Sequence, residues 1–161
     1  MKRRTISITV DNKPGVLTRV ATLFRRRNYN IESLTVGATE NPAISRMTIV
    51  VEGDQRIIEQ VTKQLHKLID VIKVVDISEE RAVERELVLV KVKADTQTRA
   101  EIMQIVDIFR ARIVDIGRSS LIIESTGDTV KIDAIEDSLR PFGIIELVRT
   151  GKIAMVRGTG K

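Results

Sequence analysis

Cysteine and tryptophan are absent from this chain of 161 residues, histidine occurs once, and the aromatics amount to one Tyr and three Phe. Without Cys there is no disulfide, no thiolate nucleophile and no thiolate metal ligand, which makes a cytoplasmic location the expectation. His66 as the single imidazole leaves no set of ligands for a transition metal and no base for a Ser-His-Asp arrangement, so no metal site and no catalytic residue is expected. No apolar run approaches the roughly 20 residues that cross a bilayer, so no membrane partner is expected. The opening "MKRRTISITV" is basic but lacks an apolar core and a small-residue cleavage site, which predicts no signal peptide. No Gly-x-Gly-x-x-Gly occurs, and the terminal "GTGK" lacks the spacing and following helix of a phosphate loop.

What is present is globular: 42% hydrophobic and 30% charged residues. The charge is uneven. Residues 1–78 carry 13 Lys/Arg against 8 Asp/Glu, and residues 79–161 carry 14 of each, so the net +5 lies in the first half. A basic half suits an acidic partner or nucleic acid. Both halves show one order of elements. "RTISITV" alternates as a half-buried strand, and Gly15 to Arg27 is a helix with Val16, Leu17, Val20, Ala21 and Phe24 on one face. Strands follow at 30–39 and 43–52, then a helix capped by Asp54 and running through Leu68, then the strand "VIKVVDI". The second half repeats this with "RELVLVKVKA", a helix from Thr96, the hairpin "RIVDIG"/"SSLIIES", a helix capped by Asp128 or Thr129, and a last strand "GIIELVRT". "SEERAVER" joins the halves. The fold class is therefore α+β: two ferredoxin-like β-α-β-β-α-β domains, residues 1–78 and 79–161, each with two helices on one face of an antiparallel sheet. The opposite sheet face must be solvated, functional or covered by another subunit, and units this small favour an oligomer.

That element order is shared with an RNA-recognition module, whose central strands stack bases on aromatic side chains. Here "RTISITV" and "AISRMTIVVE" hold none, so no nucleic-acid partner is expected. The turn Asp11-Asn12-Lys13-Pro14-Gly15 is more informative. A helix begins at or just after Gly15, where unpaired N–H groups and the helix dipole suit a carboxylate. Gly15 has no Cβ to block the approach, and Asn12 and Asn30 offer amides to an ammonium or a carboxylate. Val10, Leu17, Ile31 and Val36 could line a small apolar pocket. On spacing alone two readings stay open: a site for an aliphatic amino acid, or a well-formed turn and helix start and nothing more.

Three longer stretches carry a family resemblance. "VDNKPGVLTRVATLFRRRNYNIESLTVG", "SRMTIVVEGD" and "KQLHKLIDVIKV" resemble the N-terminal half of the small, regulatory subunit of acetolactate synthase (acetohydroxyacid synthase). From "ERELVLVKV" to "GIIELVRTG" the chain is similar to that subunit's C-terminal domain. The turn by itself would point only to an ACT domain, a ferredoxin-like amino-acid sensor. The resemblance implies a chain with no cofactor of its own. Its partner would be a larger catalytic subunit with thiamine diphosphate, Mg²⁺ and FAD, condensing two pyruvates, or pyruvate with 2-oxobutyrate, towards valine, leucine and isoleucine. It implies activation of that subunit, feedback inhibition by valine, and a homodimer through side-by-side ACT domains with effector at the pair interface. The matching positions are Asn12, Gly15, Val16 and Leu17, with Asn30 and Ile31 supplied by the partner chain. The C-terminal half resembles in fold the ligand-binding domain of nickel-responsive regulators, without the His or Cys to bind nickel. A stand-alone amino-acid-binding regulator is the alternative reading, and an RNA-binding module a further one.

Overall fold

The structure, a computed structural model, describes residues 2–78 and 81–158. Nine strands and four α-helices follow one another as β1 (Arg3–Asp11), α1 (Val16–Arg26), β2 (Ile31–Ala38), β3 (Ile44–Glu52), α2 (Gln55–His66), β4 (Val71–Asp76), β5 (Ala82–Lys93), α3 (Arg99–Ile108), β6 (Arg112–Ile116), β7 (Ser120–Gly127), α4 (Thr129–Leu139), β8 (Ile144–Arg149) and β9 (Ile153–Val156), counted among the described residues. The first sheet has the order β2-β3-β1-β4, and the second the order β6-β7-β5-β8. Both are the antiparallel ferredoxin-like arrangement expected from the alternation of apolar and polar residues.

Two compact units divide the chain. One extends to Val83 and takes in the segment that starts at Lys152; the other is Glu84–Gly151. In the first, Ile6, Ile8 and Val10 of β1 and Met47, Ile49 and Val51 of β3 share one sheet face, in register as Ile6↔Ile49 and Ile8↔Met47. They pack on Val16, Val20 and Phe24 of α1 and Ile58, Val61 and Leu65 of α2. The spacing of four along each helix sets one apolar stripe against the sheet. The second unit repeats this with Val88, Val90 and Val92 of β5, Leu121 and Ile123 of β7, Ile102 and Val106 of α3, and Ile132, Ile135 and Leu139 of α4.

The repeat extends to backbone detail. α1 and α3 each end in a non-glycine residue with positive φ, Asn28 at 58° and Arg110 at 53°. Each is followed by a backbone bond back into the helix, Tyr29 to Phe24 at 3.0 Å and Ala111 to Val106 at 2.9 Å. α2 and α4 begin alike: Asp54 accepts from the Ile57 N–H at 3.0 Å and Asp128 from the Lys131 N–H at 2.9 Å. Of the two caps expected for α4, Asp128 is the one used.

Four expectations need correction. α2 stops at His66, and Leu68 packs from the following turn. α3 starts at Arg99, not Thr96, because the Asp95 carboxylate takes the N–H groups of Gln97 and Thr98, both at 2.8 Å, and holds them in a turn. Residues 82–85, expected in a connector, open β5; residues 79 and 80 of that connector lie outside the described residues. β8 is not the last strand. β9 follows it and runs back beside the chain entering β5, where the Arg157 N–H donates to the Arg81 carbonyl at 2.8 Å.

The C-terminal segment also explains the outer face of the first sheet. Arg46 Nη2 donates to the Ala154 carbonyl at 2.8 Å, and the Lys152 N–H donates to Ser33 Oγ at 3.2 Å. Thr5, Ser7, Thr48 and Val50 of that face are buried. The face is thus covered from within the chain, at least in part, by a segment that the repeat does not foreshadow.

Candidate functional site

The turn between β1 and α1 is fixed from both sides. The Asp11 N–H donates to the Asp70 carbonyl at 2.9 Å and the Asn12 N–H to the Ala43 carbonyl at 2.8 Å. Asn12 Nδ2 donates to the Pro42 carbonyl at 2.9 Å. That commits the donor end of the Asn12 amide to the neighbouring loop. Its Oδ1 is left as the end that can accept from an ammonium. Asp70 is buried, pairs with Arg19 of α1, and so ties the turn after α2 to the helix that follows the site.

Gly15 stands at the start of α1 with φ 86° and ψ −9°, a left-handed conformation that glycine adopts without cost. A Cβ built there meets nothing within 4 Å. No side chain caps this helix, and among the described residues the N–H groups of Leu17 and Thr18 have no backbone or side-chain acceptor. In the second unit the Asp95 carboxylate takes the N–H groups of Gln97 and Thr98, which precede α3, and the Asp95 carbonyl takes the Arg99 N–H at 3.1 Å.

The Asp95 carboxyl is held below its ordinary 3.8 by the N–H groups of Thr98 and Gln97 that it accepts from. A lowered acid stabilises the fold above its unfolded value and loses that contribution as the pH falls through the folded value. Protection of the Gln97 and Thr98 amides, relative to their intrinsic exchange rates, is accordingly expected to hold from neutral pH down to 3.8 and to fall only below it. The Asp95→Asn variant is expected to remove this step, which exchange measured by NMR across the acid range would detect.

The sequence-derived residues fall into two groups. Asn12, Gly15 and Leu17 lie together at the open turn, with Leu17 exposed at 44%. Val16 is 3% exposed and belongs to the core, so only its backbone faces the turn. Val10 is likewise core. Asn30 and Ile31 are elsewhere. α1, 11 residues long, separates them from Gly15 by roughly 16 Å of helix. Ile31 pairs with Val51, which pairs with Arg4 at the start of β1, whereas Gly15 follows the end of β1. One chain does not bring these residues to the turn.

One feature is not legible in the local sequence pattern. β2 is an edge strand whose helix-side residues Leu34 and Val36 are exposed at 36% and 43%. With Leu17 they leave apolar side chains on the β2 and α1 side of the unit. Only the topology reveals that β2 has no neighbour beyond it. Among the described residues no group of three His, Cys, Asp or Glu could hold a metal ion. No helix among them is long and apolar enough to cross a membrane.

The comparisons with known proteins agree across both halves. Residues 6–73 match the family model of the AHAS small subunit-like ACT domain, and residues 85–158 that of the small subunit of acetolactate synthase. A probable acetolactate synthase small subunit from Archaeoglobus fulgidus is 60% identical over 159 residues, 99% of either chain. The acetolactate synthase small subunit of Mycobacterium leprae is 52% identical over 154 residues, 96% of this chain and 91% of the relative. The crystal structure of the small subunit from Thermotoga maritima superposes with a TM-score of 0.90 at 44% identity, covering 99% of this chain and 100% of that one. With an ACT-type first unit, a matching second unit and relatives of the same length, the chain belongs to the family of acetolactate synthase small subunits.

Proposed function

We propose that this chain activates a larger, thiamine-diphosphate-dependent catalytic subunit in the cytoplasm and makes it sensitive to valine, or a related branched-chain amino acid, bound between two copies of the first unit. The catalytic subunit supplies thiamine diphosphate, Mg²⁺ and FAD and condenses two pyruvates, or pyruvate with 2-oxobutyrate; this chain supplies the sensor.

The observation that carries the reading is the separation of the site residues. β2 lies at the free edge of its sheet. Two such edges pairing antiparallel reverse the second copy. Ile31 begins β2 and Ala38 ends it, and Ala38 pairs with Ser45, which pairs with Val10 just before the turn. Reversal therefore carries the partner's start of β2, with Asn30 and Ile31, to the end of the sheet where Asn12 and Gly15 lie. The same pairing covers Leu17, Leu34 and Val36. In this arrangement the Leu17 and Thr18 N–H groups receive the effector carboxylate, Asn12 Oδ1 and an Asn30 amide oxygen take its ammonium, and the apolar residues at the seam limit the side chain to about the size of isopropyl.

An effector at such a seam acts by favouring one arrangement of the pair, and a coupling of roughly 1–3 kcal/mol gives a 5- to 150-fold change. Acetolactate formation by the cognate catalytic subunit, measured with and without this chain across a valine titration, tests both parts. Activation reversed by valine is the expected result. Activation indifferent to valine, leucine and isoleucine would remove the effector, and no activation would remove the regulatory role.

A further inference from the structure

The helix layer of the first unit carries a second site, which borders the turn at Thr18 and has its charged rim at the far end of α1. A groove of about 360 Å³ runs between α1 and the C-terminal end of α2. Its floor includes Leu23 and Leu68, and its rim carries Arg26, Arg27 and Lys67, with Thr22 and Gln64 between them. No carboxylate lines it. Among the described residues Arg26, Arg27 and Lys67 make no ion pair, while Arg19 at the other end of the groove is taken by Asp70.

Cations at helix C-termini are favourable in themselves, through the helix dipole. The second unit shows that the fold does not require them. There the same helices align residue by residue, with Val20 matching Ile102, Phe24 matching Val106, and Leu65 matching Leu139 in the core. In that register Arg26 and Arg27 correspond to Ile108 and Phe109, and Lys67 to Pro141. Beside Pro141, Arg140 is paired with Glu136 at 2.9 Å, and at the end of α3 a single cation, Arg110, follows Phe109. Three unpaired cations around a concave, apolar-floored groove are thus specific to the first unit and repel one another unless an anion is seated among them.

We propose that this groove is the seat of a carboxylate-bearing segment of the larger catalytic subunit. This rests on the reading of the chain as a regulatory subunit. Aliphatic stems ending in Asp or Glu carboxylates fit a groove with a leucine floor and an arginine rim, where guanidinium forks pair carboxylates with defined geometry. Ile69 follows Leu68 directly and is 92% exposed, offering an apolar anchor beside the charged groove. Such a pairing of an apolar knob and an electrostatic rim suits a protein surface better than a polyanionic backbone, and the chain has no aromatic platform for bases. The rim cations then steer the encounter and fix its register.

The test uses the full chain and its catalytic subunit. The triple variant Arg26→Glu, Arg27→Glu, Lys67→Glu is expected to associate about 10- to 100-fold more slowly at low salt and to lose activation accordingly. Its valine binding, followed by calorimetry, should be unchanged. The milder Arg26→Gln, Arg27→Gln, Lys67→Gln set should show the same direction and a weaker salt dependence, which guards against misfolding of the reversed variant. A matched reversal at Arg85, Arg112 and Arg118 in the second unit should leave association alone. Association of the groove variants at the wild-type rate overturns the inference while leaving the regulatory reading intact, and so does an equal loss in the second-unit control. Loss of RNA binding through these three residues without loss of association overturns it too. If the wild-type chain neither binds nor activates the catalytic subunit, reading and inference fall together.

Discussion

The Gly15→Asp chain should still activate the catalytic subunit but lose its response to valine, with effector affinity down about 10- to 100-fold, as expected when charge-assisted hydrogen bonds worth roughly 1.5–3 kcal/mol are removed. The physical ground is local. A Cβ at position 15 meets nothing within 4 Å, so the substitution disturbs no packing. Its carboxylate lies next to the N–H groups that the effector would occupy, and adds like charge where an anion must enter. The positive φ of 86° is a burden for any side chain, although Asp and Asn bear it best. Gly15→Asn is the control that separates strain from charge: same backbone, same size, no negative charge. It should keep most of the valine response. A Gly15→Asp subunit with wild-type valine inhibition would show that the open helix end is not where the effector sits.

Why the strands and helices could be read so closely from the chain is visible at β1 and α2. Ile6, Ile8 and Val10 alternate with Thr5, Ser7 and Thr9, which leaves one sheet face possible for the core. Asp54 stands one residue before α2, and its carboxylate accepts from the N–H three residues on. These are local signals, each confined to a few residues. α3 misleads for the opposite reason. Thr96 looks like a cap by type, but Asp95 before it and Thr98 after it close a tighter turn first, with the Asp95 N–H donating to Thr98 Oγ1 at 3.0 Å. β9 is four residues long, and its anchors, Arg46 and Ser33, lie more than a hundred residues away in the chain, so no periodicity could announce it.

The candidate site divides along the same line. That Gly15 opens a helix towards solvent follows from the order of Pro14, Gly15 and the apolar stripe behind it. Val16 and Val10 follow the core stripe too, so the family resemblance for Val16 and the nearness of the turn for Val10 set them near a ligand, whereas packing sets them inside. The split between Asn12 and Asn30 is not a local property at all. It comes from β1 and β2 running parallel on either side of β3, which sends the start of one and the end of the other to opposite ends of the sheet. A site made from these residues therefore calls for a second copy. The apolar edge of β2 and α1 is what a second copy would cover.

Glu86→Ala should destabilise the second unit as much as a typical large core truncation, costing about 3 kcal/mol. Glu86 is buried inside the unit, on the helix side of β5. Its carboxylate accepts from Arg149 Nε at 2.6 Å and from Thr129 Oγ1 at 3.2 Å. Arg149 in turn donates to Asp133 Oδ1 at 2.8 Å, with Glu136 Oε2 at 3.5 Å. One arginine thus binds β8, β5 and α4 through two hydrogen-bonded carboxylates and a third nearby. Its proton affinity is raised above an ordinary guanidinium, first by the bond to Glu86 and then by Asp133, against the cost of its burial. Removing Glu86 leaves that cation partly buried without its principal partner. The lower end of the range for broken buried pairs is the appropriate figure, because the Arg149 side chain keeps a quarter of its surface in water. For a unit of this size the loss corresponds to a fall in melting temperature of roughly 12–24 °C, readable by calorimetry. Replacing the pair together, Glu86→Leu with Arg149→Met, should recover most of it, since a buried ion pair contributes little over apolar side chains of similar volume. If Glu86→Ala melts within a degree or two of the wild type, the network is not holding α4 to the sheet, and the stability of the second unit lies in its aliphatic core alone.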